Sequence, residues 1–153
     1  MRVKFVPLTY QETLQHYPRY AREDIQCFLI VMDALNPCRE PVGLYGLIDR
    51  GVDSRTGESL GEGFLTIFPA FRYRVLSQYF FTALFDHALS CGFTKVYTWT
   101  RLPSWQKLFQ RFETLGIQRL EHPPMWDEES EVDNNAETMT TDPKVWFSKR
   151  KDG

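Results

Sequence analysis

Two arginines, Arg72 and Arg74, stand in a short turn between two apolar segments, Phe68-Pro69-Ala70-Phe71-Arg72-Tyr73-Arg74-Val75-Leu76-Ser77. Ile67 and Phe68 end the apolar run before it, and Pro69 stops that run because proline cannot donate to a strand ladder. From Val75 to Leu89, apolar residues recur at 76, 80, 84 and 88, with 79, 83 and 85 beside them. This spacing predicts a helix with a broad buried face. A helix entered from a strand turns its first free N–H groups outward, where an anion can meet them. Ile67 and Phe68 at the strand end, Arg72, Tyr73 and Arg74 in the turn, and Val75, Leu76 and Ser77 at the helix entry therefore form a candidate anion site.

Other reactive side chains are more scattered. His16, His87 and His122 show no metal spacing, and Cys27, Cys38 and Cys91 form no CxxC pair, so no metal is expected. His87 and Cys91 stand four apart on the helical segment, which brings a thiol near an imidazole, but no oxyanion donor or orienting group accompanies them. Asp86 and Glu113 read as solvated helix positions. Basic and aromatic residues alternate in Phe71-Arg72-Tyr73-Arg74 and in Tyr97-Thr98-Trp99-Thr100-Arg101, the pattern of a stacking platform for single-stranded nucleic acid. A net charge of −2 and the expected burial of strand aromatics argue against such a partner.

The elements that must position these residues follow from periodicity. Arg2 to Leu8 alternates at period two and predicts a first strand, and Thr9 with Glu12 has capping-box spacing for a short helical segment that Pro18 breaks. Cys27–Asp33 and Val42–Asp49 predict an antiparallel pair joined by a loop through Pro37 and Pro41. Gly51 to Gly63 reads as a polar, glycine-rich connection into a fourth strand from Phe64 to Phe68. Gly92 ends the long helix, and Lys95–Thr100 is aromatic and β-branched, hence a strand. The strand–helix–strand succession implies a right-handed crossover between parallel strands. Ser104 is placed to cap a helix whose Trp105, Leu108, Phe109, Phe112 and Leu115 form one stripe closed by Gly116. Ile117–Glu121 and Lys144–Arg150 predict two last strands.

Composition bounds the rest. At 153 residues a single domain, 1–153, is expected, with enough chain to bury a core. Aromatic content of 15% is high, a surplus that suits a protein partner as well as a core. There is no signal-like leader and no apolar run long enough for a membrane span. Three scattered cysteines suit a reduced, cytoplasmic chain, with Cys27 and Cys91 expected in the core. Residues 127–142 hold seven acids and no lysine or arginine, so the remainder of the chain is positively charged. An acidic insertion at 126–142, at the tip of the last strand pair, reads as a solvated loop or a partner-contact segment.

In their order these elements resemble the GNAT N-acetyltransferase superfamily. There, a fourth strand leads into a phosphate-binding turn of pattern Arg/Gln-x-x-Gly-x-Gly/Ala, and a later helix ends in a Tyr-Glu-Lys-x-Gly-Phe-like sequence. Residues 68–77 match the frame of the turn, and Phe112-Glu113-Thr114-Leu115-Gly116-Ile117 matches the end. The resemblance implies an α/β (α+β) fold: a mixed, mostly antiparallel sheet of six to seven strands with helices on both faces. It implies acetyl-CoA at Ile67, Phe68 and 72–77, and transfer of its acyl group to an amine. Glu62 stands where some members place a base, and Ser104 could supply the hydrogen bond usually given by asparagine or tyrosine on the last helix. The chain departs from the pattern at Val75 and Ser77, which occupy the glycine positions, and at Phe112, which replaces the tyrosine acid. The degenerate turn also resembles small phage-encoded GNAT-like proteins, among them internal virion proteins. That likeness implies a non-catalytic role through protein contacts, in the host cytoplasm or the virion.

Overall fold

The computed structural model describes residues 2–32, 40–71, 77–124, 126 and 143–151. The period-two segment forms strand β1, Val3–Leu8, which pairs antiparallel with β2, Ile25–Met32. Between them lies helix α1, Tyr10–His16. It starts on the expected capping box: the Glu12 N–H donates to Thr9 Oγ1 at 3.1 Å, and the Thr9 N–H donates to Glu12 Oε1 at 3.0 Å. Pro18 ends the helical geometry in a short 3₁₀ turn, Pro18–Tyr20. Strand β3, Gly43–Val52, pairs antiparallel with β2 and with β4, Ser59–Ile67. Helix α2, Gln78–Ser90, then crosses over to β5, Lys95–Thr100, which lies parallel to β4. Helix α3, Pro103–Arg111, strand β6, Gln118–Arg119, and strand β7, Val145–Arg150, complete the described elements.

Among the described residues the sheet has seven strands in the order β1-β2-β3-β4-β5-β7-β6. The pairings are antiparallel except β4 with β5, as expected of the crossover. Alternate side chains leave the sheet on opposite faces, and both faces are covered. On one, α2 and α3 pack Phe80, Phe81, Leu84, Phe85 and Phe109 against Tyr45, Leu65, Ile67, Val96 and Phe147. On the other, the segment around α1 covers Leu8, Cys27, Leu44, Ile48 and Phe64, with Tyr17 and Tyr20 as partners. Burial of this apolar area on two sides supplies the main stabilisation of the fold.

Several expectations are corrected. Strand β4 begins at Ser59, so Glu62 lies inside a strand and not in a polar connection. One of the glycines that disguised it is a packing position: a Cβ on Gly61 would come within 2.8 Å of the Phe93 ring. Ser104 is not a cap. Pro103 occupies the first turn of α3, the N-cap is Leu102, and the Leu102 N–H is held by Thr100 Oγ1 at 3.1 Å. Cys27 is buried as expected, but Cys91, just past the end of α2, is exposed. The described part of the long helix starts at Gln78 on an N-cap at Ser77. Arg72, Tyr73, Arg74, Val75 and Leu76, Cys38, and the acidic stretch 127–142 lie outside the described residues.

Candidate functional site

Strands β4 and β5 are paired for three rungs only: Leu60 with Lys95, Gly61 with Val96, and Glu62 with Tyr97. Below these, the pair is clasped by the Thr94 N–H on the Ser59 carbonyl at 2.9 Å and the Ser59 N–H on Thr94 Oγ1 at 2.8 Å. Above the Glu62–Tyr97 rung, β4 runs on to Ile67 and β5 to Thr100 without pairing to each other. The sheet is therefore forked at its centre, with Glu62 and Tyr97 at the crotch. On the α2–α3 side, a small apolar cavity within the core borders the fork, lined by Gly63, Leu65, Phe81, Val96, Thr98 and Phe109.

On the opposite side the fork carries charge. Glu62 is 2% exposed, and its Oε1 accepts from Arg50 Nε at 3.1 Å and Nη2 at 3.0 Å. A buried carboxylate needs such a partner, since burial without one is costly. The Arg50 guanidinium lies 5.7 Å from the centre of the Trp126 ring, and Trp126 meets Tyr97 edge-on at 5.1 Å. Trp99 and Trp146 face each other across β5 and β7, their centroids 6.4 Å apart. Lys144 Nζ and Arg101 Cζ lie over Trp99 at 4.4 and 5.8 Å. Trp99 and Trp146 are each 3% exposed. Neither can stack a nucleobase, so the interleaved stretch from Tyr97 to Arg101 is a packed layer capped by cations.

The remaining candidates are placed as follows. Ile67 is buried on the α2 face, and the Phe68 N–H donates to the Val42 carbonyl at 2.9 Å while its ring stacks on Tyr17. Ser77 Oγ accepts from the Phe80 N–H at 3.2 Å, so the helix after the turn is capped by a side chain. Ser104 is exposed in the first turn of α3. Phe112 is 8% exposed, with its ring 5.2 Å from Phe81, and belongs to the core. His87 does not pair with the Cys91 thiol, which donates to the His87 backbone carbonyl at 3.3 Å. Its Nδ1 is instead hydrogen-bonded to the Tyr45 hydroxyl. Burial pushes Tyr45 up and His87 down in pKa, so a neutral phenol and a neutral imidazole share this bond. Asp86 is exposed, with Lys149 Nζ 4.0 Å away. Among the described residues, no group of three or more His, Cys, Asp or Glu gathers as for a metal. Sequence reasoning missed Arg50, Tyr97 and Trp126 as neighbours of Glu62. Period-two counting back from Phe64 places Glu62 and Leu60 on one face and would have found the carboxylate's side.

Solved structures share the overall arrangement of this chain along nearly its whole length. The chain has the GNAT acetyltransferase fold. It is similar to a chimera of Vibrio cholerae spermidine N-acetyltransferase SpeG and hSSAT, at 11% identity, covering 99% of this chain and 96% of that one, TM-score 0.61. It is similar to a Bacillus subtilis acetyltransferase in complex with CoA, at 12% identity over 97% of both chains, TM-score 0.58. The V. cholerae spermidine N-acetyltransferase in complex with CoA and spermine aligns at 13% identity, covering 94% of this chain and 76% of that one, TM-score 0.59. No protein-family model and no curated protein matches the sequence. Within this fold, Glu62 stands at the fork and Phe112 lies in the core. Among the described residues, no helix is long and apolar enough to cross a membrane.

Proposed function

We propose that this GNAT-fold chain binds an acyl-CoA and transfers its acyl group to an amine. The observation that carries the reading is the fork itself, with a buried, hydrogen-bonded carboxylate on its last rung. The fork suits an extended acyl carrier because β4 and β5 part above the Glu62–Tyr97 rung and leave their facing edges unpaired to each other. Ile67, Phe68 and Ser77 would border the carrier's phosphates at the entrance to α2, together with Arg72 and Arg74 of the turn. When bound, the carrier supplies an acyl carbon activated as a thioester. The chain's own residues must then orient an amine and remove its proton. Glu62 is the base of this reading, and both contacts from Arg50 fall on its Oε1, which fixes the carboxylate plane. Ser104, exposed on α3, would supply a hydrogen bond to the leaving side.

Calorimetric titration with acetyl-CoA and with CoA tests the reading. A Kd of micromolar order supports it, and Arg74→Ala should then weaken binding. No heat and no thermal shift at millimolar ligand would refute it. A second reading is favoured by Phe112. With a core ring where a proton donor is usual, the chain would be a non-catalytic GNAT-like protein working through protein contacts, as its likeness to small phage virion proteins suggests. Under that reading neither ligand binds.

A further inference from the structure

Just above the Glu62–Tyr97 rung stand Gly63 on β4 and Thr98 on β5. Gly63 pairs outward with Leu47 of β3, and Thr98 pairs outward with Phe147 of β7, so the two are not bridged to each other. Both line the apolar cavity on the α2–α3 side, whose volume is about 30 Å³. Its other walls are apolar and aromatic, among them Leu65, Phe81, Val96 and Phe109. An apolar cavity stays dry, and this volume is close to the share of one water molecule in the liquid, roughly 30 Å³. That is room for one carbon with its hydrogens. The void exists because position 63 carries no side chain, and nothing in the fold demands a glycine there. Gly63 has no positive φ, and a Cβ on it would make ordinary contacts, 3.5 Å from Leu47 Cδ2 and 3.9 Å from Val96 Cγ1. At Gly43, Gly46 and Gly61, by contrast, a Cβ would clash. A glycine inside a strand weakens it and marks a place where another group comes close.

We propose that this cavity receives the end of the acyl chain, and that the preferred donor is a thioester of a three-carbon acyl group rather than of acetate. The inference rests on the acyl-transfer reading above. A carrier lying between the parted strands is stopped at the Glu62–Tyr97 rung, so the carbons beyond its carbonyl turn to one face of the sheet. On the α1 face the crotch is filled by Glu62 and the Arg50 guanidinium bonded to it. On the α2–α3 face, Gly63 puts no side chain between the crotch and the cavity. The void matches one carbon added to an acetyl group. Burying that methylene is worth about a factor of four in affinity. A further carbon has no volume left to enter, and overpacking a core is itself unfavourable.

The test titrates the full chain with CoA, acetyl-CoA, propionyl-CoA and butyryl-CoA by calorimetry. The expected result is propionyl-CoA binding about fourfold or more tighter than acetyl-CoA, with butyryl-CoA weaker than propionyl-CoA. Gly63→Ala sets a methyl group in the cavity and should erase the propionyl advantage. Without any ligand, the same variant should unfold at a urea midpoint equal to or above that of the wild type, because alanine fills the void and restricts the unfolded chain. Val96→Ala widens the cavity from another wall and should bring butyryl-CoA level with propionyl-CoA or beyond it. An unchanged order of the three thioesters in both variants overturns the inference, as does butyryl-CoA binding tightest to the wild type. A lower urea midpoint in Gly63→Ala also overturns it, since no void would then be there to fill. If CoA and acetyl-CoA bind and propionyl-CoA gains nothing over them, this inference fails while the acyl-CoA reading stands. If none of the four ligands binds although Gly63→Ala is as stable as the wild type, the acyl-CoA reading fails and takes this inference with it.

Discussion

Replacing Arg50 with methionine is the sharpest test of the fork. The side chains of Arg50 and Glu62 are 12% and 3% exposed, so the pair lies largely out of water. Methionine keeps most of the apolar stem and removes the charged group that lies over Trp126. It leaves a carboxylate in a strand interior without its guanidinium, and breaking one side of a buried pair costs about 3 kcal/mol or more. For a chain of this length that corresponds to a fall in Tm of roughly 6–12 °C. Urea unfolding followed by tryptophan fluorescence should show a lower midpoint at unchanged slope. The double variant Arg50→Met/Glu62→Leu removes both charges and should recover most of the loss, because an apolar pair of similar volume replaces a desolvated ion pair. The reasoning is refuted if Arg50→Met costs less than about 0.5 kcal/mol, the level of an exposed pair. It is equally refuted if the double variant is no more stable than Arg50→Met.

Further outcomes follow from other contacts. His87 is depressed by burial below the ordinary histidine value of about 6.5, so the unfolded chain binds its proton first. Stability from the Tyr45–His87 bond is therefore full above about pH 6.5 and declines as pH falls toward the folded value. Urea midpoints between pH 7.5 and 5.5 should drop in the wild type and drop less in His87→Phe. Burial pushes the Cys27 thiol up to about 11, so at pH 8 an aromatic disulfide reagent should label Cys91 in the native chain and reach Cys27 only after unfolding. Gly43→Ala would set a Cβ 2.5 Å from the Thr66 backbone carbonyl, which cannot rotate away. A loss of about 1–3 kcal/mol is expected by chemical denaturation, with β3 and β4 pushed apart. Ser77→Ala removes the cap of α2 and should cost about 1 kcal/mol of stability, measured the same way.

Much of the fold is legible in the sequence because periodicity reports burial directly. The alternation of Arg2–Leu8, the helical stripe ending near Leu89, and the β-branched and aromatic Lys95–Thr100 all became the expected elements. Strand β4 was less legible because Gly61 and Gly63 imitate a loop. At Gly61 the missing side chain makes room for the Phe93 ring, a packing reason that no local propensity encodes. Ser104 misled for a similar reason: serine is a good cap, but Pro103 had already fixed the helix start one residue earlier. The candidate site is only half legible. Glu62 was visible as a carboxylate, whereas Arg50 and Tyr97 come to it from other strands, and only the register of β3, β4 and β5 brings them together, with Trp126 packed on both.

The position of β7 has a consequence for how the molecule is made. The last described strand does not add to an edge but enters between β5 and β6. During synthesis, the half of the sheet from β1 to β4 can pair rung by rung as it leaves the ribosome. The lateral edge of β5 must wait, with Trp99 and Thr98 exposed, until residues 145–150 emerge. Such late, distant pairing carries the loop-closure entropy that slows folding. The sheet beside the fork is thus completed last, and a nascent chain stalled before Val145 would present the unpaired edge of β5 to chaperones rather than to a ligand.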